Sequence, residues 1–217
     1  MTARSGTSLA GTAFFSGAAA LLFVPLFIGR RLGPLDFWWG FSLSLVLLTG
    51  LGFFMDREFR AALKPGPGLK PPAAIGLGIL SALGLYAVFL GGGILATALL
   101  PAAQSGISSI YGFKAGASTA RITALLALVI GPGEELFWRG LLQRRMQRHW
   151  GGRGGWLAAA ALYAVVHAGS GNTLLILAAG VCGLAWGFLF LRFRSIVLNA
   201  VSHALWDVAV FVLWPIA

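Results

Sequence analysis

The stretch Gly131-Pro132-Gly133-Glu134-Glu135-Leu136-Phe137-Trp138-Arg139 sets two carboxylates and a guanidinium into a chain that is otherwise largely apolar. A charged side chain at the centre of a membrane helix costs about 2.5 to 3.5 kcal/mol on insertion scales, so such residues are retained there for a task. The surrounding composition shows that a membrane is the setting. Of 217 residues 58% are hydrophobic and 10% charged, and the mean hydropathy of +0.86 is far above that of a soluble domain. The expected fold is an all-α, polytopic transmembrane bundle of about seven helices, one integral-membrane domain over residues 1–217. Sixteen Lys and Arg against six Asp and Glu give a formal net charge of +10. These basic residues flank apolar runs, which is the pattern of membrane anchors facing the cytoplasm and not of a nucleic-acid-binding face. The single cysteine, Cys182, lies within an apolar run; it has no partner for an intramolecular disulfide and reads as a packing residue.

Upstream of the charged stretch, an apolar segment starts at Ile122 and meets Gly131-Pro132-Gly133 after nine residues. Proline disfavours helix for the residue before it but fits a first turn, which predicts a kink or restart with Glu134 and Glu135 near a helix N-terminus. Downstream of Arg139, Leu141, Leu142 and Met146 are set against Gln143, Arg144, Arg145 and Arg148, as expected of an amphipathic helix leaving the membrane. Further out, apolar spans are expected at Leu9–Ile28 and Phe37–Met55, the first a retained span and not a signal peptide, the second opening with Trp38 and Trp39 at an interface. Asp56–Pro72, with Arg57, Arg60, Lys64, Lys70 and four prolines, reads as an exposed loop. Ala73–Leu100 either tilts strongly or breaks near Gly91-Gly92-Gly93, glycines read as packing contacts, and Pro101–Arg121 reads as a polar connector. On the C-terminal side, Trp156–Ala168 is short for a span and ends in His167. Thr173–Leu191 carries Gly180, Gly183 and Gly187 at a spacing that allows close helix packing, and Ile196–Ile216 carries Asn199, His203 and Asp207.

With seven spans, alternate loops receive eleven basic residues on one side (Arg4, Arg57, Arg60, Lys64, Lys70, Arg144, Arg145, Arg148, Arg153, Arg192, Arg194) and four on the other (Arg30, Arg31, Lys114, Arg121). The positive-inside rule then puts the N-terminus in the cytoplasm. At a rise of about 1.5 Å per residue, Glu134 lies roughly 15 Å, His203 roughly 13 to 14 Å and His167 roughly 21 Å from the basic edge. Three helices therefore offer polar groups at overlapping depth in a core about 30 Å thick.

Spacing within the helices sorts these groups. Glu135 and Arg139 stand at i and i+4 and form a pair that keeps both tolerable at low dielectric. Glu134, turned about 100° away on the helix, is left without a local cation. Asn199, His203 and Asp207 are successive i, i+4 neighbours, a polar stripe that must face a cavity or another helix. A carboxylate and two imidazoles in a buried pocket can deprotonate water, polarise a carbonyl and protonate a leaving amine. The same groups, Glu134, His167 and His203, are also ordinary Zn²⁺ ligands. His149, among arginines at the membrane edge, is assigned no role.

At these residues the chain resembles the CPBP family of CAAX proteases and bacteriocin-processing enzymes, also called Abi or glutamic-type intramembrane proteases. The resemblance rests on Glu134-Glu135 with Arg139, Tyr163 with His167, and His203 with Asp207, in order on successive helices. It covers about Ile122 to Asp207, a protease core at 122–207 within the last four helices. The second motif usually begins with Phe where Tyr163 stands, and the third often ends in Asn where Asp207 stands. The resemblance implies hydrolysis of a peptide bond in a membrane-anchored or C-terminal substrate of CAAX-like, bacteriocin-related or sorting-tail type. By analogy Glu134 with His167 activates water, His203 with Asp207 stabilises the oxyanion, and Glu135, Arg139, Tyr163 and Asn199 support the site. A metal-free reaction is expected, since only two histidines and no H-E-x-x-H pattern are present, with Zn²⁺ as the alternative cofactor. The expected setting is the bilayer of a bacterial inner membrane. A catalytically silent scaffold of the same fold, or a small transporter or proton relay, is the competing reading; no inverted repeat speaks for transport.

Overall fold

The computed structural model describes residues 8–64 and 69–216. Arg4 of the charge count and Pro65 and Pro67 of the predicted loop lie outside the described residues. Helices α1 (Leu9–Gly29) and α2 (Phe37–Met55) are joined by the antiparallel pair β1 (Arg31–Leu32) and β2 (Leu35–Asp36). Then follow α3 (Arg57–Ala62), α4 (Pro71–Leu99), α5 (Ala103–Tyr111) with a 3₁₀ turn at Gly112–Lys114, and α6 (Thr119–Leu125). From α6 the helix runs on through a wide turn at Leu126–Ile130, α7 (Gly131–Glu134), a second wide stretch at Glu135–Gln143, and α8 (Arg144–Val166), ending in a 3₁₀ turn at His167–Ser170. The chain finishes with α9 (Thr173–Phe193), α10 (Ile196–Val208) and a wide turn at Ala209–Leu213.

Short polar residues mark where these helices start. Ser8, Asp36, Asp56, Ser118, Asn172 and Ser195 each accept a bond from a first-turn N–H of the helix that follows, satisfying donors that would otherwise be orphaned. Pro71 opens α4, where its missing N–H is not needed. Among the described residues five helices are long and apolar enough to cross a membrane: α1, α2, α4, α9 and Ile196–Leu213. A further candidate is the pair Ala103–Lys114 and Thr119–Ser170, bent by 90°.

That long helix folds back on itself at Gly151, whose φ of 72° and ψ of 172° are open to glycine and strained for any other residue. Contacts pair positions equally far from it: Gln147 lies against Gly155, and Arg139 stacks over Tyr163. Two antiparallel arms, 119–150 and 152–170, result. On α9, Gly183 and Gly187 admit Ala160 and Trp156 of the second arm, and Gly180 faces Ala164, so the expected small-residue packing is present. α4 runs beside α10, with Gly78 against Leu198 and Val201, Ser81 bonded to Ser202, and Phe89 against Trp206.

Four expectations are corrected. No restart occurs at Pro132: the preceding wide turn, in which Gly131 donates to Leu126, carries the helix past the proline, and Glu134 sits inside a continuous helix. α4 runs without a break, one of the two alternatives, but of Gly91, Gly92 and Gly93, all read as packing contacts, only Gly93 meets a neighbour, Ile216. The connector 101–121 contains α5. The loop after α2 contains α3, whose Phe59 is buried and whose cap Asp56 pairs with Arg145. That pairing also explains why Gln143 and Arg145 are buried, where an amphipathic helix leaving the membrane was expected to expose them: Gln143 donates to Gly187 O at 2.8 Å, and Arg145 reaches Asp56, Thr12 and Ser8.

The bundle thus has two ends. At one lie ten described basic residues: Arg57, Arg60, Lys64 and Lys70 around α3, Arg144, Arg145, Arg148 and Arg153 around the hairpin bend, and Arg192 and Arg194 after α9. At the other lie the β1–β2 turn, α5, the 3₁₀ turn at Gly112–Lys114 and the turn after His167, with Arg30, Arg31, Lys114 and Arg121.

Candidate active site

A cavity of about 100 Å³ lies between the hairpin arms, α2, α9 and α10, with Glu134, Tyr163, His167, Cys182, His203 and Asp207 in its wall. The rest of the lining is apolar and mostly aromatic, including Phe27, Phe37, Trp38, Phe41 and Phe113. The structure therefore brings together the four residues singled out from the sequence, Glu134, His167, His203 and Asp207, all of them buried.

The local geometry begins at Gly131, where a Cβ would stand 2.9 Å from the backbone of Ala204. This close approach seats the first arm against α10 one residue after His203. Glu135, fully buried, accepts from Arg139 Nη1 at 2.8 Å, as the i, i+4 spacing predicts. The pair is not self-contained, however. Glu135 also bonds His203 Nδ1 at 2.7 Å and accepts from Asn199 Nδ2 at 3.0 Å. Asn199 in turn donates to Trp186 O at 2.7 Å, so it ties α10 to α9 and to the first arm. The Arg139 guanidinium lies 5.0 and 5.5 Å over the rings of Tyr163 and Trp186, which support it by cation–π attraction.

Glu134 has partners that its sequence neighbourhood did not suggest. Trp138 Nε1 donates to Oε1 at 3.2 Å and the Tyr163 hydroxyl to Oε2 at 3.1 Å. Trp138 stands at the same i+4 spacing that identified Arg139 and was overlooked because indole carries no charge. The hydroxyl that distinguishes Tyr163 from the usual Phe thus has its acceptor. Glu134 Oε2 also lies 3.4 Å from His203 Nε2, so one of its oxygens faces both the tyrosine and the histidine at the cavity floor.

His203 stacks flat on Trp186, with ring centroids 3.6 Å apart and planes at 20°. With Nδ1 held by Glu135, its Nε2 points between Glu134 and Asp207, whose Oδ2 is 3.5 Å away. Trp186 is itself fixed by Ser202, to which its indole donates at 3.0 Å. Nothing in the apolar run of α9 marked Trp186 as part of the site. His167 is held differently: Nδ1 lies 2.7 Å from Tyr163 O, and the ring packs against Phe27 and Tyr163 at 4.6 and 4.8 Å, leaving Nε2 toward the cavity. Cys182 is buried, and its carbonyl receives Arg139 Nη2 at 3.5 Å. Among the described residues no group of three or more His, Cys, Asp or Glu side chains is arranged to hold a metal ion, although Glu134 and Asp207 both approach His203 Nε2.

Residues 116–209 match a family model described as type II CAAX prenyl endopeptidase Rce1-like. This segment is similar to the Rce1-like family. The Rce1-like match runs from just before α6 to the end of α10 and takes in both hairpin arms and the whole polar cluster. No curated protein and no solved structure matches the chain. The match supports an intramembrane CAAX-type endopeptidase, a hydrolase, and together with the candidate spans it fits an integral membrane protein.

Proposed function

We propose that the protein hydrolyses a peptide bond in a membrane-anchored substrate, with Glu134 as the general base. The observation that carries this reading is the position of Glu134: a carboxylate 4% exposed, in the wall of a largely aromatic cavity, within 3.4 Å of His203 Nε2. Glu134, assisted by His167 across the cavity, takes a proton from water as the water oxygen bonds to the scissile carbonyl carbon. His203 Nε2, steadied by Asp207, Glu135 and Trp186, stabilises the oxygen that becomes negative. When the C–N bond breaks, the proton held by Glu134 passes to the leaving amine. Glu135, Arg139, Asn199 and Tyr163 hold these groups in place. The reaction is proposed to need no metal, Glu134 supplying the base and His203 the oxyanion donor, with Zn²⁺ as the alternative. The proposed setting is a bacterial inner membrane with the N-terminus in the cytoplasm, which rests on the unequal basic loops.

The test compares purified wild type with Glu134→Ala on a library of membrane-anchored peptides in detergent. Wild type is expected to cleave and the variant to be inactive. Equal cleavage by both sinks the role of Glu134, and cleavage by neither favours a silent scaffold. A chelator added to the active protein is expected to change nothing; its loss of activity, restored by zinc, would replace the metal-free mechanism.

A further inference from the structure

We propose that the catalytic cavity opens to the non-cytoplasmic face, so that the site takes membrane-anchored peptides displayed on the exported side and held by their apolar anchor in the outer leaflet. The substrate half of this proposal rests on the peptidase reading above; the sidedness does not.

The first observation is directional. Most residues lining the cavity come from the part of their element nearer the end with few basic residues, and Glu134, Cys182 and His203 lie close to mid-depth. Phe27 is two residues from the end of α1, Phe37 opens α2, Phe113 lies in the turn before α6, Leu175 stands near the start of α9, and Phe211 lies past α10. In the opposite half the space between the same helices is filled. Phe59, Leu141, Leu142 and Phe190 are buried there, and the Asp56–Arg145 pair and the bond from Gln143 to Gly187 cross between elements. Water and peptide therefore have a way to Glu134 from one end.

The second observation is charge. The filled end carries ten of the described basic residues and the open end four, one of which, Arg121, is neutralised by Asp36 at 2.6 Å. Lysine and arginine in short loops stay on the cytoplasmic side, which turns the open end outward.

The third is a second, apolar cavity of about 480 Å³ between α4, α5, α9 and α10. It shares Ile110, Leu175, Ala178, Trp206 and Phe211 with the catalytic cavity, so the two adjoin across these side chains. It too lies in the open half, and in its wall Gly92 has nothing within 4 Å of a would-be Cβ. A hydrocarbon anchor lying there reaches the same leaflet from which the peptide enters.

Two measurements in cells test this with the full chain. Arg31→Cys and Arg153→Cys, each combined with Cys182→Ala because Cys182 lines the cavity, place a single thiol at an exposed position at the open or the filled end. Arg31→Cys is expected to label in intact cells and Arg153→Cys only after permeabilisation; the reverse pattern overturns the sidedness. A randomised peptide tail on a single-span anchor is then displayed on the exported or the cytoplasmic face, with Glu134→Gln as control. Cleavage is expected only of exported tails. Cleavage only of cytoplasmic tails overturns the proposal, whereas no cleavage on either face overturns the peptidase reading, and with it the substrate, independently of the labelling.

Discussion

At the filled end of the bundle the charges are spent on one another: Asp56 pairs with Arg145, Glu58 with Arg148, and Arg194 donates to Gln147 at 2.6 Å. In the open half, aromatic side chains stand around a cavity and the acids Glu134 and Asp207 face it. The same two hairpin arms run through both regions, so the difference lies in what each turn of helix presents. Glu135 and Glu134 meet at the boundary. Glu135 has Arg139, His203 and Asn199 as direct partners, whereas Glu134 is held by neutral donors, Trp138 and Tyr163, that orient a carboxylate without an arginine at its side. A fixed acid with an open face suits proton transfer, and a saturated one suits structure.

Replacing Glu134 with Gln breaks this comparison most directly. Gln keeps the shape and can still accept from Trp138, but it cannot take a proton. Turnover on the anchored peptides is expected to fall by about 10² to 10⁴-fold, the range for loss of a general base, while thermal unfolding in detergent stays near wild type. A large drop in unfolding temperature with residual turnover would reverse the roles assigned to the two acids.

Arg139→Ala is expected to act on folding first. It leaves Glu135 buried without its cation, which costs about 3 to 5 kcal/mol when one partner of a buried pair is removed. Folded yield and unfolding temperature should fall together with activity; normal yield with lost turnover would move Arg139 into the chemistry. At the filled end, Asp56→Ala is expected to cost about 3 kcal/mol, the low end of the same range, because Arg145 retains Thr12 and the Ser8 carbonyl. Turnover per folded molecule should be unchanged there, and a decrease would show that the two regions are coupled.

The sequence made some of this contrast readable and hid the rest for identifiable reasons. The bounds of α1 and α2 stood out because Ser8, Asp36 and Asp56 flank unbroken apolar runs. The Glu135–Arg139 pair was legible because it lies within one helix. Pro132 misled, since a local rule for proline was overridden by a wide turn that re-registers the backbone. The partners of Glu134 and Asp56 depend on where Gly151 folds the arms and on how α3 docks, and neither Tyr163 nor Arg145 is near its acid in sequence. Trp186 stayed hidden because an indole in an apolar helix looks like packing until a histidine lies on it.

The finest distinction between the two acids is Tyr163→Phe, which restores the residue usual in the resembled motif. It removes one neutral hydrogen bond to Glu134 Oε2, about 0.5 to 1.5 kcal/mol, and leaves the ring that Arg139 and His167 pack against. If the hydroxyl only positions Glu134, kcat should change by less than about tenfold, KM should stay put, and the unfolding temperature should fall by no more than a few degrees. The bond to Trp138 then suffices to aim the carboxylate. A loss as large as that of Glu134→Gln would mean that the tyrosine hydroxyl takes part in moving the proton, and the site would have one more acid than its sequence motif discloses.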